Sequence, residues 1–235
     1  MNFTKITLFL SAPRINRYLQ TYQNDQKKAE QLYKANLHVS QAFHPTIGIL
    51  EVVLRNQINT VLTNHFSDPD WIINQKTGFM SHSSLTYYDK LTKKSKTNDA
   101  LKRDVEKAEK RIKDSQCLLT SGKVIAESML GFWTQLFEVH YYKILVGKPI
   151  QIFNHLPSGY GRKEVVDLLT KIRLFRNRIN HNEPICFKSL TVDFTETEFI
   201  HDAVFKLLFW IDTDLEQWVR DIDEIKLRIT NAKSI

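Results

Sequence analysis

The chain has 235 residues, 42% of them hydrophobic, with seven glycines and six prolines, and this composition argues for a folded, helix-rich protein. Its formal net charge of +7 favours anionic partners and carries no information about the fold. Two cysteines argue against a disulfide framework, and no apolar run is long enough to cross a bilayer. These features together predict a soluble, cytoplasmic protein without a membrane partner.

The first predicted helices lie in the N-terminal 45 residues. Ser11 followed by Pro13 combines a capping residue with a proline in the first turn, which predicts the start of a short helix. Asn24 or Asp25 caps a second, longer helical segment. Pro45 lacks an amide hydrogen, so we expect it to kink or restart that segment.

The next helix has the clearest periodicity of the N-terminal half. Its apolar stripe, which ends near Phe66, comprises Ile47, Leu50, Leu54, Ile58, Val61 and Leu62. Glu51 and Arg55 lie at the edge of this stripe, four residues apart, in the order that favours an ion pair along a helix. A pair between the two is the simpler interpretation. In the alternative, either side chain supports a site by reaching Arg176 or a ligand.

Most of the excess positive charge lies in one segment, because residues 90–113 contain ten lysines and arginines against four acidic residues. Helical patterns around Leu85–Lys94 and Ala100–Lys113 predict a basic helical insertion at about residues 85–115. Two interpretations stay open, a solvated helical hairpin and a phosphate-binding surface. The candidate phosphate contacts are Lys93, Lys94, Lys102 and Arg103. Two tyrosines precede the lysines and no aromatic residue is interleaved with them, so base stacking is not supported.

A third helical region is apolar on nearly all sides, which predicts a central buried helix from a cap at Thr120 or Ser121 to about Tyr141. No strand-period run and no fixed-period repeat is present anywhere in the sequence. Residues 1–235 are therefore predicted to form a single all-α domain.

The last predicted helix is the most strongly specified by the sequence. Thr195 and Glu198 have the spacing of a capping box. An apolar seam then recurs every seven residues at Val204, Leu208, Ile211, Leu215, Trp218, Ile222, Ile225 and Ile229. We expect one long C-terminal helix whose seam packs within a bundle or against a second copy of the chain.

The helix before it carries the residues of greatest chemical interest. It is expected to begin near Gly161 and to stop at Asn182, a residue suited to a left-handed terminus, with Pro184 just beyond. Arg176 falls in the middle of the apolar stripe of this helix, where burying a guanidinium is unfavourable unless a partner is present. Either a carboxylate on a neighbouring helix pairs with Arg176, or the stripe borders an active-site groove.

Several catalytic classes lack support. The sequence has no His-x-x-x-His or Cys-x-x-Cys spacing, no phosphate-cradling glycine loop and no Gly-x-Ser-x-Gly, so no metal site and no cofactor are predicted. His181 follows Arg176 by five residues and lies about 140° from it on an ideal helix. Either the end of the helix reorients the histidine, or two copies of the motif complete each other across a twofold axis.

A histidine and an arginine suit phosphodiester cleavage in which the RNA 2′-hydroxyl is the nucleophile. The histidine would transfer protons, and the arginine would stabilise negative charge on the phosphorane. This chemistry requires no metal. Further basic residues of the same helix would hold phosphates nearby, namely Arg162, Lys163, Lys171, Arg173 and Arg178.

The pattern Arg176-Asn177-x-x-x-His181 matches the Arg-polar-x-x-x-His motif of HEPN-domain ribonucleases. It is accompanied by Leu50-Glu51-x-x-Leu54-Arg55-Asn56, Gly122-Lys123-Val124-Ile125-Ala126-Glu127, Gly131-Phe132-Trp133-x-x-Leu136-Phe137 and, around the motif itself, Ile172-Arg173 and Glu183-Pro184-Ile185. Together these stretches resemble the bacterial Abi-like (AbiD/AbiF) abortive-infection family over roughly residues 11–185.

The resemblance implies a HEPN-like helical bundle with additional helices, acting as a homodimer in anti-phage defence by cleaving RNA without a metal. It implies that Arg176 and His181 are the catalytic pair and that Asn177 is the polar residue that tunes or orients them. Many relatives carry a second histidine where this chain has Asn182, which leaves one fewer candidate proton carrier. A small non-coding RNA restrains some members, so RNA is implied as regulator as well as substrate. The alternative is a non-catalytic RNA-binding or regulatory helical protein.

Overall fold

The computed structural model describes residues 2–235, and within that range twelve α-helices and two small antiparallel sheets confirm the predicted all-α class. The helices are α1 (Phe3–Leu10), α2 (Ala12–Thr21), α3 (Gln26–Phe66), α4 (Trp71–Asn74), α5 (Ala100–Asp114), α6 (Ser121–Glu127), α7 (Leu130–Gln135), α8 (Val139–Ile144), α9 (Arg162–Asn180), α10 (Thr195–Ile211), α11 (Thr213–Arg220) and α12 (Ile225–Lys233). The strands β1 (Thr86–Asp89) and β2 (Lys94–Thr97) form one hairpin, and β3 (Phe187–Lys188) and β4 (Thr191–Val192) form the other. No helix in the described range is long and apolar enough to cross a membrane.

The chain divides into two compact units. The first comprises the chain up to Ile49 together with Lys171–Phe209 and Thr213–Ile235. The second comprises Leu50–Thr170 and Trp210–Asp212. Three helices, α3, α9 and α10, each supply residues to both units.

The N-terminal helices begin where their capping signals predict. Pro13 lies in the first turn of α2, and Asp25 caps α3 by accepting hydrogen bonds from the amides of Lys27 (3.0 Å) and Lys28 (3.1 Å). The predicted restart at Pro45 is wrong, because α3 continues through it for 41 residues in all. Pro45 lies on the exposed side of α3, so the bond that it cannot donate is lost where water can replace it.

The predicted basic helical insertion is only half helical. Its second part is α5, but residues 86–97 form the β1–β2 hairpin, so the expected absence of strands was also wrong. Thr86 and the two tyrosines after it favour extended backbone. Asp89 Oδ1 accepts hydrogen bonds from the amides of Leu91 (2.9 Å) and Thr92 (3.3 Å), which closes the turn between the strands.

The predicted central helix is buried but is not one helix. It is divided into α6, α7 and α8, because Ser128, Met129 and Glu138 have extended backbone with ψ angles of 122°, 164° and 144°. Thr120 is the cap, since its side chain accepts a hydrogen bond from the amide of Lys123 (3.3 Å). The large buried side chains of this region are Phe132, Trp133, Phe137 and Tyr141. Its apolar character therefore reflects three short core helices.

The C-terminal segment forms α10, α11 and α12 in place of the one long helix that was predicted. The seven-residue seam does not continue through it, since Trp218 is 59% exposed and Ile222 is 45% exposed. Asp223 holds the turn between α11 and α12. Its carboxylate lies 2.7 Å from Nε2 of the buried His201 and accepts a hydrogen bond from the amide of Ile225 (3.1 Å).

The start of α10 also differs from the prediction. Asp193 Oδ1 accepts a hydrogen bond from the amide of Thr195 at 2.7 Å. Hydrogen bonds from the side chain and then the amide of Thr195 lower the pKa of Asp193. Glu198 pairs with Lys233 Nζ at 2.6 Å. The predicted capping box between Thr195 and Glu198 is therefore wrong, and an aspartate just before the helix takes its place.

Candidate functional site

The C-terminal end of α9 is closed by a Schellman motif. Asn182 has a positive φ of 51°, and its amide donates to the carbonyl of Ile179 at 3.0 Å. The amide of Glu183 donates to the carbonyl of Arg178 at 2.9 Å. These are the two hydrogen bonds that define the motif, with Asn182 in the left-handed position. The predicted stop at Asn182 is confirmed, and His181 is the C-cap residue.

His181 is held at the surface by this arrangement. Its amide donates to the carbonyls of Asn177 (3.1 Å) and Arg178 (3.2 Å), while its side chain is exposed. The backbone is therefore fixed while the ring remains open to a ligand.

The other two motif residues lie in the last turns of α9. Arg176 is half-buried and follows the buried Phe175 in α9. Phe175 packs edge-on against Phe43 of α3, with ring centroids 4.8 Å apart. Asn177 is exposed. The helix thus places Arg176 at the margin of the first unit's core and both Asn177 and His181 in water.

Arg178 has a structural environment that the sequence did not reveal. Its Nη1 lies 2.6 Å from Glu196 Oε2, its Nη2 donates to the carbonyl of Pro184 at 2.6 Å, and its Nε is 3.7 Å from Glu183 Oε2. Two carboxylates therefore compensate the charge of this predicted phosphate contact. A phosphate would have to compete with both of them.

The loop after His181 is tied to three helices by residues that sequence reasoning missed. Arg14 of α2 donates from Nη1 to the carbonyl of Asn182 at 2.7 Å. The buried Asn36 of α3 accepts a hydrogen bond from the amide of Ile185 at 2.8 Å, and Thr197 of α10 donates to the carbonyl of Ile185 at 2.7 Å. A buried asparagine and a buried threonine on helices with strong apolar stripes were the available signal, because such groups must find polar partners.

A groove of about 550 Å³ borders this loop in the first unit. Its lining residues are Lys34, Leu37, His38, Ser40, Gln41, His44 and Asn182. A neighbouring groove of about 210 Å³ shares His38 and Gln41 with it and is also lined by Pro45 and Arg228. Two exposed histidines and a lysine thus share a groove wall with the residue that follows His181. They were not singled out in the sequence because their spacing on α3 matches no motif.

The other predicted contacts of α9 have varied environments. Lys171 Nζ lies 4.6 Å from the ring centroid of Phe199 in the first unit, and Arg173 is half-buried. In the second unit, Arg162 donates from Nη1 to the carbonyl of Phe137 at 3.0 Å. Lys163 is exposed. The guanidinium of Arg162 therefore already has a main-chain hydrogen-bond partner within the fold.

The remaining candidates all belong to the second unit. Lys93 and Lys94 are exposed on the β1–β2 hairpin. On α5, Lys102 is half-buried and Arg103 lies 2.9 Å from Asp99. Of the two supporting residues, Arg55 donates from Nη1 to the carbonyl of Ala126 at 3.5 Å, and Glu51 is half-buried. The three motif residues therefore lie in the last turns and at the C-cap of α9, and the basic segment belongs to the other unit.

Cys186 does not resemble an activated nucleophile. Cys186 is fully buried beside Tyr18, and burial raises the pKa of its thiol to about 12. Cys117 is exposed, and both thiols are free. A thiolate at neutral pH is not available from Cys186.

Within residues 2–235, no group of three or more histidine, cysteine, aspartate or glutamate side chains is placed to hold a metal ion. Comparisons of the chain with protein-family models, with curated proteins and with solved structures gave no match.

Proposed function

We propose that the protein is a metal-independent endoribonuclease that uses Arg176 and His181 to cleave RNA by attack of the 2′-hydroxyl. The observation that carries the proposal is the position of His181. A Schellman motif fixes its backbone, its imidazole is exposed, and the next residue lines a 550 Å³ groove that holds two further histidines. The resemblance of the motif to HEPN ribonucleases supports the same chemistry.

The reaction requires two proton transfers. A base removes the proton of the 2′-hydroxyl as its oxygen bonds to phosphorus, and an acid protonates the departing 5′-oxygen as the P–O bond breaks. The products are a 2′,3′-cyclic phosphate and a 5′-hydroxyl. A guanidinium stabilises the extra negative charge of the phosphorane without exchanging a proton, which is the role we assign to Arg176. His181 carries one of the two protons, and the exposed Asn177 tunes or orients the Arg176–His181 pair in this proposal.

The second proton carrier comes from the groove in this proposal. His38 and His44 line the same cavity as Asn182, and both are exposed, so either imidazole can exchange protons with water. The second histidine that many Abi-like relatives have at the position of Asn182 is absent from this chain. A groove histidine supplies the missing function. Lys34 adds a positive charge to the same wall for a neighbouring phosphate.

The biological role we propose is abortive infection in the cytoplasm, with the chain restrained until phage infection. Its partners in this proposal are a second copy of the chain and a small regulatory RNA. A homodimer would bring two Arg–His motifs together. Induced expression of the wild-type chain should then arrest growth, and His181→Ala should relieve the arrest at equal protein level. Arrest by both forms would contradict the nuclease mechanism.

The decisive experiment is cleavage of labelled RNA by the purified protein in the presence of EDTA. Wild type should produce fragments with cyclic phosphate ends, and Arg176→Ala and His181→Ala should each lose activity by at least about 100-fold. His65 offers a matched control, since it too lies in the last turn of a helix, α3. Its alanine variant should cleave normally. Cleavage that persists in His181→Ala would overturn the assignment.

A non-catalytic RNA-binding protein is the second candidate. Two observations favour it. Glu183 and Glu196 compensate the charge of Arg178, which leaves one fewer basic residue for the proposed active site, and the lysines of the β1–β2 hairpin are exposed. In the same assay this candidate requires RNA binding without cleavage, unchanged by His181→Ala.

A further inference from the structure

The β1–β2 hairpin carries its aromatic and basic side chains in water. Of the eight strand residues, only Asp89 is half-buried, and the other seven are exposed. Tyr87 is 47% exposed and Tyr88 is 61% exposed. Tyrosine in a strand usually gains its stability by packing on a neighbouring surface. Neither face of this hairpin provides that burial for its tyrosines.

Strand pairing interleaves residues that are separate in the sequence. Tyr87 pairs with Lys96 across the hairpin, and Asp89 pairs with Lys94. Because side chains alternate along a strand, these four residues share one face. Tyr88 pairs with Ser95 on the opposite face. One face therefore combines an aromatic ring with two lysines, and the other combines an aromatic ring with hydroxyl groups. The linear sequence does not indicate base stacking here, because Tyr87 and the lysines come together only when the two strands pair.

The charge on the hairpin is strongly positive. Residues 86–97 contain four lysines and one acidic residue, Asp89. An ion pair with Lys96, aided by hydrogen bonds from Thr92 and Leu91, lowers the pKa of Asp89 to about 2. Asp89 is thus ionised and neutralises Lys96. Lys94 on the Tyr87 face, with Lys90 and Lys93 in the turn, leaves an excess of positive charge beside the ring.

The hairpin holds its shape through its own contacts. An isolated two-stranded hairpin is marginally stable in water. Here the side chains of Thr86 and Thr97 are hydrogen-bonded across the strands at 2.9 Å, and the amide of Asn98 donates to the carbonyl of the buried Leu85 at 2.9 Å. Asp89 closes the turn. The surface is therefore formed before any ligand binds, which reduces the entropy lost on binding.

We infer that the Tyr87 face of the β1–β2 hairpin binds single-stranded RNA. One base stacks on the ring of Tyr87, and the phosphates on either side contact Lys94 and the lysines of the turn. Stacking on a tyrosine requires a base whose face is free, which a single strand offers and an internal base pair does not. Binding here is a separate property from cleavage, so it holds whether or not Arg176 and His181 are catalytic.

The test measures binding of fluorescent RNA to the full-length His181→Ala protein, which prevents cleavage from obscuring the result. A single-stranded oligonucleotide of about ten nucleotides suffices to cover one such site. Tyr87→Ala should weaken binding about tenfold, a typical loss for removal of one stacking platform, and Tyr87→Phe should retain it. Tyr88→Ala is the matched control, because it removes the same, more exposed side chain from the face without lysines, and it should change affinity less than about twofold.

Salt dependence gives an independent measurement. Lys94→Gln should weaken binding and lower the slope of log affinity against log salt by about one phosphate contact, about 0.7 for a single strand. The inference would be overturned if Tyr87→Ala and Tyr88→Ala lost the same affinity for single-stranded RNA. It would also be overturned if the protein bound a duplex of the same length with equal affinity. Comparable binding of single-stranded DNA would retain the stacking site but reject selectivity for RNA. Failure of the nuclease proposal leaves all of these outcomes unchanged.

Discussion

Arg178 Nη1 lies 2.6 Å from Glu196 Oε2, which links the last turn of α9 to the first turn of α10. The same guanidinium donates to the carbonyl of Pro184, so it also holds the loop between the two helices. Arg178 therefore stabilises the backbone that positions His181. This role differs from the phosphate contact that its charge alone predicts.

Replacing Arg178 by alanine should lower the free energy of unfolding by about 1–2 kcal/mol, because a charged hydrogen bond to a carbonyl is lost with a partly exposed ion pair. Urea unfolding followed by circular dichroism would measure it. Arg173→Ala on the same helix is the control and should cost less than about 0.5 kcal/mol. A variant that is fully stable but has a reduced salt slope for RNA binding would show that Arg178 contacts phosphate after all.

The left-handed residue of the Schellman motif gives a second prediction. Asn182→Gly should keep the stability within about 0.5 kcal/mol, since glycine adopts a positive φ without strain. Asn182→Val should destabilise the protein by about 1–2 kcal/mol, because a β-branched side chain is disfavoured there. The stabilities of the two variants are compared from their urea unfolding midpoints, provided that the dependence of the free energy of unfolding on urea concentration is the same in both. Equal stability of the two variants would mean that the end of α9 rearranges when its left-handed residue is lost.

The groove histidines give a kinetic prediction that depends on the proposed ribonuclease activity. If His38 or His44 is the second proton carrier, its glutamine variant should lower kcat about 100-fold and abolish one limb of the pH–rate profile. The glutamine variant of whichever groove histidine is not the proton carrier should leave the pH–rate profile unchanged, and so should His65→Gln. A profile that keeps both limbs in both groove variants would place the second proton carrier elsewhere.

The two thiols should differ in reactivity. Cys117 is exposed, whereas Cys186 is fully buried and has a pKa of about 12. A thiol-specific reagent should therefore modify one cysteine in the native protein and two in denaturant. Cys117→Ser is the control and should leave no rapidly reacting thiol. Rapid modification of Cys186 in that variant would show that the Tyr18 region opens readily.

Asp223 predicts how stability responds to acid. Burial would raise the pKa of its carboxyl group, but the hydrogen bonds from His201 and the Ile225 amide, with the charges of His201 and Arg220, lower it further than burial raises it. Because the folded pKa lies below the unfolded value of about 3.9, the carboxylate stabilises the fold above that pH, and this contribution is lost as pH falls through the folded pKa.

Asp223→Asn tests this prediction. The free energy of unfolding should fall in the variant at neutral pH, and the difference from wild type should shrink as the pH is lowered below about 3.9. Urea unfolding at several pH values measures the difference. Asp202→Asn is a suitable comparison, since Asp202 also lies near His201 but its side chain is 68% exposed. If the difference in the free energy of unfolding between wild type and Asp223→Asn grew on acidification, the ionised carboxylate of Asp223 would not be stabilising the fold.

The sequence predicted α9 well because its local signals agree. An apolar stripe, an asparagine suited to positive φ and a proline just beyond all indicate the same end of the helix. The prediction failed where local patterns were ambiguous. In the central segment, apolar residues on all sides fit three short helices as well as one, and only tertiary packing decides between them.

The candidate site could be predicted only in part for a similar reason. The spacing of Arg176 and His181 is local and can be seen in the sequence. The groove residues of α3 come from more than 130 positions earlier in the chain. The two hydrogen bonds that hold the backbone of Ile185 come from Asn36 and Thr197, which belong to no motif with Ile185. Contacts of this kind are set by how helices pack, which one unaligned sequence does not specify.

Pro45 has a consequence for molecular recognition. Since proline has no amide hydrogen, the carbonyl of Gln41 cannot receive the usual hydrogen bond from the residue four positions later. Both residues line the smaller groove, and Gln41 also lines the larger one. The helix thus supplies a main-chain acceptor whose orientation is fixed and whose chemistry no side-chain substitution at position 41 can remove. A hydrogen-bond donor placed at this carbonyl would therefore meet the same acceptor whatever side chain stands at position 41.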